Sequence, residues 1–305
     1  MKQIGSYVEH QTSFALSNPQ VRFGFSSTGE LIEFVKNISP EIANEHKNRR
    51  NAAWETDHIA INFTQTKSMD HAVDLVKNGW PEGLERIKLM TEFFETQSPT
   101  RKTRKYNCAG GRVNVGKMLT GNPKHMTRRI KSPSKKVITL FVELGQTGGV
   151  DAKKLIVRAN VIGTIVDQLE MQGYSCELIG VNQNAHDSSR KKHMADFIVK
   201  IKSAGERLNL NDAAFVLGHP STLRRLKFAC MATQEFLRNR WSGMGYSSPA
   251  FNDDHQPEPG VFYIKNINAH NQDDIDLNAL LNEQCEVVFD LIKPDGLPID
   301  FSPHR

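Results

Sequence analysis

Cysteine is scarce in this sequence, and its spacing excludes two common frameworks. The 305 residues contain 4 cysteines, Cys108, Cys176, Cys230 and Cys285, and consecutive ones lie more than 50 residues apart. There is no Cys-x-x-Cys pair and no histidine at the spacing of a zinc finger, so we expect neither a disulfide scaffold nor a structural zinc site. We interpret all four as reduced thiols, and we expect no metal and no cofactor.

Long apolar runs are also missing. No segment approaches the roughly 18 apolar residues of a membrane span, and the first 20 residues hold no apolar core behind a basic end. We therefore expect a cytosolic protein with no membrane association. With 38% hydrophobic and 24% charged side chains, the composition is that of an ordinary globular chain, which excludes disorder, collagen and coiled coil as whole-chain structures.

Recognisable catalytic motifs are absent as well. The sequence has no G-x-S-x-G nucleophile elbow and no H-E-x-x-H metal helix. Residues 111–118 approach a phosphate-binding P-loop, but Met118 stands where a Ser or Thr hydroxyl must hold Mg²⁺. The preceding residues are also too basic for the buried strand that such a loop follows. We therefore expect a flexible glycine loop and a protein that is not an enzyme, with a Mg²⁺-dependent NTPase or nuclease as the alternative.

The most informative absence is that of acidic residues between Glu95 and Glu143. Residues 98–136 hold 12 Lys and Arg and no Asp or Glu, whereas residues 1–97 and 137–305 carry net charges of −3 and −4. Twelve like charges that cannot be paired locally repel one another unless a polyanion neutralises them. Nucleic acid is the abundant cytosolic polyanion, so this segment, called the basic arm below, predicts nucleic-acid binding.

Aromatic residues interleaved with the cations favour unpaired bases over duplex. Tyr106 follows Arg104 and Lys105, and a pair of arginines at 224–225 precedes Phe228. Unpaired bases stack on aromatic faces while cations track the phosphates. No helix-turn-helix, zinc finger or RNP signature supports reading of a duplex sequence. The expected nucleic-acid-binding residues are Arg101, Lys102, Arg104, Lys105, Tyr106, Arg112, Lys117, Lys124, Arg128, Arg129, Lys131, Lys135, Lys136, Arg224 and Arg225.

Hydrophobic patterning predicts an α/β protein in three regions. Residues 1–97 show helical periodicity, with Ser68 as N-cap and Gly79 as the terminal glycine of the clearest helix. The basic arm, 98–136, is too polar to bury a core, so we expect an extended connection with one short turn. Residues 137–305 alternate strand-like and helical runs, which predicts a mixed sheet with flanking helices that also buries the N-terminal helices.

Individual elements follow from the same patterns. VITLFVEL at 137–144 reads as a buried strand, and a long helical period follows it. YSCELIGVNQ and DFIVKIKSA predict a hairpin, and VFYIKN and CEVVFDLI are later strand candidates. After His219-Pro220, we expect Ser221 or Thr222 to cap the next helix. Trp80 is expected to anchor the core between two helices.

The order of elements from 137 to about 240 distantly resembles a von Willebrand factor A domain. That family holds a metal at an Asp-x-Ser-x-Ser turn, and the matching positions here are Glu143, Gly145 and Thr147. One hydroxyl is missing and the carboxylate is longer by one methylene, so we expect a packed turn without metal. At the other end of this region, residues 252–305 hold 11 acids against 3 bases and are a candidate surface for protein partners.

Several sequence blocks look like an uncharacterised domain of tailed bacteriophages. They are AWETDHI (53–59), SMDHAVDLVKNGWPEGLERI (68–87), MLTGNPKHM (118–126), the strand VITLFVELG and GHPSTLRRLKF (218–228). Size and cation-rich centre are further similar to the single-stranded DNA-binding transcription cofactors of podoviruses that encode their own two-subunit RNA polymerase. This resemblance implies a viral protein in the cytoplasm of the infected bacterium that holds melted promoter DNA and recruits the phage RNA polymerase.

One further alternative belongs to a different class of protein. In a structural virion protein, the basic arm would thread into a neighbouring subunit. The residues themselves favour neither DNA over RNA nor a monomer over a homo-oligomer, and the choice of DNA for the single strand follows from the resemblance.

Overall fold

The elements of the chain alternate between strands and helices from the N-terminus onward. A computed structural model describes residues 2–7, 21–39, 41–42, 53–85, 106–107, 112–113, 115–127, 137–145, 152–171, 174–185, 193–238, 246–248 and 260–264. The N-terminal elements are β1 (Lys2–Ile4), β2 (Val21–Phe25), α1 (Thr28–Lys36), α2 (His58–Thr64) and α3 (Met69–Asn78). The basic arm contributes β3 (Tyr106–Asn107), β4 (Arg112–Val113), α4 (Val115–Leu119) and β5 (Met126–Thr127).

The remaining elements build most of the sheet and its helical layer. They are β6 (Val137–Glu143), α5 (Ala152–Met171), β7 (Ser175–Ala185), β8 (His193–Lys202), α6 (Leu210–Gly218), a π-helix (Thr222–Lys227), α7 (Phe228–Ala232), α8 (Glu235–Arg238), β9 (Tyr246–Ser248) and β10 (Val261–Ile264). The strand candidate CEVVFDLI lies outside the described residues.

Seven strands form one mixed sheet, which confirms the predicted α/β fold. Six of them follow the order β1-β2-β8-β7-β6-β10, and β9 pairs with the end of β7. β6 runs parallel to β7 and β10, β2 runs parallel to β1 and β8, and β7 and β8 form the expected antiparallel hairpin. The N-terminal part therefore supplies two strands that the prediction of a helical region omitted. The strand VRFGF is only five residues long and contains a glycine, which weakens its β signal.

The main core lies between one face of this sheet and the helices. Phe23 and Phe197 from the sheet are buried in one cluster with Ile165 of α5 and Phe215 of α6. Leu31 of α1 and Val73 of α3 belong to the same cluster. Each large apolar side chain buried in this way contributes about 1.5–3 kcal/mol. The N-terminal helices are therefore held by a sheet of which strands β6, β7 and β8 begin 59 residues or more after the end of α3. Within the described stretches, no helix has the length and apolarity to cross a membrane.

Local chemistry sets the ends of α3 as predicted. The Ser68 side chain accepts a hydrogen bond from the His71 N–H at 3.1 Å, which satisfies one of the unpaired donors at a helix start. The helix ends at Gly79, whose φ of +91° is open to glycine at little cost. Trp80 is buried directly after it, as expected for a core anchor. Cys176 and Cys230 are buried thiols, in agreement with the prediction.

The segment after His219 differs from the prediction. Ser221 has helical backbone angles and its side chain makes no cap, because its hydroxyl donates to the carbonyl oxygen of Thr64 at 2.6 Å. The Thr222 hydroxyl donates to the carbonyl of Phe215 at 2.8 Å. Both hydroxyls are buried, and buried polar groups need partners wherever the fold offers them. The following residues form a π-helix, a rare form that sequence periodicity did not indicate.

Candidate nucleic-acid interface

The described part of the basic arm forms a small sheet rather than an extended connection. β5 is its central strand, with β3 and β4 antiparallel on either side, and α4 lies between β4 and β5 in the chain. The short turn expected near the middle of the arm is present at 115–122, and the three short strands beside it were not expected. Backbone N–H and C=O groups pair across β5 without needing an apolar core, and hydrophobic patterning cannot detect such pairing. We call β3, β4 and β5 the arm sheet.

Tyr106 and Arg112 occupy one row of the arm sheet. Each is the register partner of Thr127, from opposite sides of the central strand. Residues directly opposite in a sheet share a face, and neighbouring strands lie about 4.8 Å apart. The backbone positions of Tyr106 and Arg112 are therefore in register on one row, about 10 Å apart. The structure thus brings together the predicted base-stacking residue and one predicted phosphate contact.

The helix of the arm ends in a fully hydrogen-bonded turn. Gly121 has φ +71°, and its N–H donates to the carbonyl of Met118 at 3.0 Å. The N–H of Asn122 donates to the carbonyl of Lys117, also at 3.0 Å. This pair of bonds is the Schellman motif, in which a left-handed residue satisfies the last helical carbonyls. The Asn122 side chain accepts a hydrogen bond from the Lys124 N–H at 2.9 Å, so hydrogen bonds hold the chain both before and after Gly121.

Two of the predicted cations lie on either side of this turn. Lys117 belongs to α4 and is half-buried, whereas Lys124 is exposed on the loop that follows. The glycine loop expected at 111–118 is replaced in part by α4, with Gly116 inside the helix. β4, two residues long and antiparallel to β5, also lies within the motif, so its described residues form a short strand and a short helix rather than one continuous loop.

Nine of the predicted cations lie outside the described residues. They are Arg101, Lys102, Arg104, Lys105, Arg128, Arg129, Lys131, Lys135 and Lys136.

Arg225 is not part of a nucleic-acid surface. Its side chain is fully buried, and the guanidinium donates to the carbonyls of Ala53 at 2.9 Å, Glu55 at 3.1 Å and Thr66 at 2.7 Å. A further bond joins Nε to the Thr66 hydroxyl at 2.6 Å. Burial lowers the pKa of Arg225 to about 10, so the group stays charged at neutral pH. The prediction for this residue is wrong, because a phosphate could reach it only if the core opened.

The Arg224 guanidinium contacts an aromatic residue of the same chain. Nη1 donates to the carbonyl of Phe63 at 2.6 Å, and the guanidinium carbon lies 4.4 Å from the centre of the Phe63 ring. Burial also lowers the pKa of Arg224. We therefore remove Arg224 from the expected interface. The sequence carried a signal for both corrections, since Leu223 and Leu226 flank the two arginines and favour a core helix.

The sequence interpretation also missed several buried ionisable groups of the main sheet. Lys202 on β8 is buried, and its Nζ lies 2.6 Å from Glu170 Oε1 and 2.7 Å from the carbonyl of Cys176. Burial raises the pKa of Asp196 to about 6, although Arg22 Nε lies 3.3 Å away and opposes the shift. Lys202 is thus paired with a residue of α5, and Asp196 with a residue of the neighbouring strand β2. Among the residues that the structure describes, no three His, Cys, Asp or Glu side chains converge on a metal position.

The end of β6 is packed against α5. Glu143 is buried at the end of the strand, and the Arg158 guanidinium of α5 donates to its backbone carbonyl. Burial lowers the pKa of Arg158 to about 10, partly opposed by the Glu143 charge. Thr147, the third position of the metal-type turn, lies outside the described residues.

Two further basic groups are buried around the π-helix. The His219 ring stacks on Phe215 with centroids 4.6 Å apart and meets the edge of Trp80 at 4.7 Å. Burial lowers its pKa to about 3, so the imidazole is neutral, and Nδ1 accepts the Ser221 N–H at 3.1 Å. Burial lowers the pKa of Lys227 to about 7. His219 is thus a packed core residue, and its surroundings do not resemble a nucleophile–base pair.

Comparison with known protein families finds a match over most of the chain. The matching model is described as a domain of unknown function (DUF7192), and it covers residues 9–293. Comparison with curated proteins and with solved structures finds no match. A function therefore has to be inferred from the residues of the chain itself.

Proposed function

We propose that this chain, which belongs to the DUF7192 family of unknown function, is a non-catalytic protein that binds single-stranded DNA through its basic arm. The observation that carries the proposal is the charge of residues 98–136, where 12 cations occur without one acid. The flanking regions are net acidic, so the arm is the part of the molecule that attracts a polyanion.

The proposal predicts how strongly the affinity for DNA depends on salt concentration. Each phosphate that a Lys or Arg neutralises releases condensed counterions, and affinity then falls as salt rises. If about half of the 12 cations contact phosphates, log K against log[salt] should have a slope of about −4 on a single strand. A basic surface that binds nothing would show no such slope.

The arm sheet supports a single strand over a duplex. Tyr106 and Arg112 are both register partners of Thr127, so a residue type able to stack on a base and one able to bind a phosphate stand in one row with backbones about 10 Å apart. In a duplex the base faces are covered by their neighbours, so a stacking residue has nothing to contact without opening the helix. Lys117 and Lys124 extend the cationic surface from the same unit.

The biological role that we propose follows from the resemblance to phage transcription cofactors. The protein would hold melted promoter DNA in the cytoplasm of the infected bacterium and recruit the phage RNA polymerase. The acidic residues 252–305, with 11 acids against 3 bases, are the part of the chain proposed to contact the polymerase.

Filter binding of labelled single-stranded and duplex oligonucleotides over a salt series tests the proposal. We expect tighter binding of the single strand and a slope near −4. Salt-independent or absent binding would overturn it. The test variant replaces four arm cations with Ala, and the control replaces four exposed cations elsewhere, so both lose the same charge. The test set is Arg101, Lys102, Arg104 and Lys105, and the control set is Lys36, Lys67, Lys77 and Arg207.

The two variants separate a local site from a general effect of net charge. If the arm is the site, the test variant loses affinity for all sequences alike. The magnitude of its slope of log K against log[salt] decreases by up to about 2.8. The control variant binds nearly as the parent does. Equal losses in both variants would show that binding depends on net charge alone.

A further inference from the structure

Two adjacent apolar side chains are exposed at the end of the helix in the arm. Met118 is 55% exposed and Leu119 is 82% exposed. Among the large apolar residues that the structure describes as exposed, Leu119 has the highest exposed fraction. Both stand in a segment whose charged residues are all cationic.

The turn that holds these residues does not need them. In a Schellman motif, the usual apolar contact joins the third residue from the helix end to the second residue beyond the cap. Those positions are Lys117 and Asn122 here, and the motif is closed by backbone bonds of 3.0 Å. Met118 and Leu119 are thus exposed on a hydrogen-bonded turn, and little ordering would be required when they meet a ligand.

We propose that Met118 and Leu119 form an apolar contact for the unpaired bases of a bound single strand. This inference rests on the proposed function and adds which part of the strand the helix touches. Charge complementarity selects the occupant, because Lys117 and Lys124 flank the pair and the arm lacks any acid. A single strand combines anionic phosphates with exposed apolar base faces, which suits both features of the turn.

The chemistry of the two side chains fits this contact. Leucine and methionine are among the apolar residues that proteins insert between bases, and the methionine thioether packs favourably on aromatic rings. The cations bind the phosphates of the strand, whereas Met118 and Leu119 contact bases only where these are present and unpaired. Affinity from the cations should depend on salt, whereas affinity from the apolar pair should not.

A thermodynamic cycle between protein and strand tests the inference. One axis is the double variant Met118→Ser with Leu119→Ser, and the other is a DNA strand of equal length built of abasic sites. We expect the double variant to bind a normal strand about tenfold more weakly, with an unchanged salt slope, and the abasic strand within about twofold of the parent. Because both side chains are exposed, the variant should keep the parent's unfolding transition.

Two control variants calibrate the cycle. Ile59→Ser removes an apolar side chain that is 49% exposed on α2, outside the arm, and should change neither affinity. Lys124→Gln removes one exposed cation of the arm, and it should weaken binding of both strands alike and reduce the salt slope by about 0.7.

The outcomes distinguish the inference from the function on which it rests. If the parent protein binds no strand, the proposed function fails and this inference fails with it. If the parent binds with the expected slope but the double variant loses nothing, or loses normal and abasic strands equally, only the inference is overturned.

Discussion

Two hydrogen bonds join Arg225 to Thr66, from Nε to the hydroxyl at 2.6 Å and from Nη2 to the carbonyl oxygen at 2.7 Å. The same guanidinium donates to the carbonyls of Ala53 and Glu55, so one side chain of the π-helix holds the chain on both sides of α2. Neutral carbonyls surround the charge in place of water. Arg225 is therefore a structural residue that joins the π-helix to the segments before and after α2.

Replacing Arg225 with Met should destabilise the protein by about 3 kcal/mol or more. The substitution leaves buried carbonyls and a hydroxyl without their donor, and each unsatisfied group costs about 1–3 kcal/mol. Urea unfolding followed by circular dichroism measures the loss. Arg207→Met, at an exposed position, is the matched control and should change stability by less than about 0.5 kcal/mol. Equal stability of the two variants would contradict the structural role of Arg225.

Asp196 should make stability fall as pH rises from about 4 to about 6. Burial raises its pKa to about 6, above the 3.8 of the exposed group, so the folded state holds the proton more tightly than the unfolded state. Its contribution is fully present below pH 4 and is lost as pH passes the folded pKa, by roughly 2–3 kcal/mol. In Asp196→Asn this dependence should disappear. Urea unfolding at pH 4 and pH 7 gives the comparison, and a parallel response of both proteins would refute the assignment.

Lys227 should produce the opposite trend at higher pH. Burial lowers its pKa from 10.5 to about 7, so the unfolded state binds the proton more tightly. Stability should therefore rise from pH 7 toward pH 10, by at most about 4–5 kcal/mol from this group. Lys227→Met keeps the stem and removes the charge, and it should flatten the rise. Unfolding measured at pH 7 and pH 9.5 checks this, and a rise that persists in the variant would assign it to other groups.

Tyr106 and Arg112 should contribute to DNA binding in different ways. Tyr106→Ala should weaken single-strand binding by about 1–3 kcal/mol at every salt concentration, because stacking releases no counterions. Arg112→Gln should reduce the magnitude of the salt slope by about 0.7. Filter binding at four salt concentrations separates the two effects. A changed slope in Tyr106→Ala, or an unchanged one in Arg112→Gln, would show that the row across Thr127 does not hold the strand as proposed.

Gly121 in the arm and Gly163 in α5 allow a controlled test of whether the turn after α4 requires a glycine. A Cβ on Gly121 or on Gly163 would meet no heavy atom within 4 Å, so neither substitution by Ala creates a clash. Gly163 lies in α5 with ordinary helical angles, and Gly163→Ala should stabilise the protein by about 0.5–1 kcal/mol. Gly121 has φ +71°, and Gly121→Ala should strain the turn by about 1 kcal/mol. Hydrogen exchange of the Gly121 and Asn122 amides should speed up in the second variant alone.

The sequence predicted best what depends on neighbours along the chain. Ser68 and Gly79 bound their helix as expected, because capping is a matter of a few residues. The apolar run at 137–144 became a buried strand, and the two runs that follow became an antiparallel hairpin. Each of these elements carries a strong signal within a few consecutive residues, so local pattern and tertiary structure agree.

Long-range pairing decided what the sequence could not predict. Arg225 was expected on the surface, and its partners are carbonyl groups more than 150 residues away, which no side-chain pattern reveals. Tyr106 and Arg112 were expected in an extended arm, and their register depends on backbone pairing with Thr127. In the sequence, Met118 marks only a departure from the P-loop pattern, and the structure shows that it and Leu119 are exposed.

The pairing of β2 with β8 sets the order in which the protein can fold during translation. Val21 is the register partner of Ala195, so the ribosome must deliver more than 170 further residues before β2 meets that partner strand. At about 5–20 residues per second this takes on the order of 10–35 seconds, during which the apolar faces of α1 and α3 have no sheet to cover them. Nascent chains of this protein should therefore engage chaperones early, and synthesis as two separate halves should yield an insoluble N-terminal fragment.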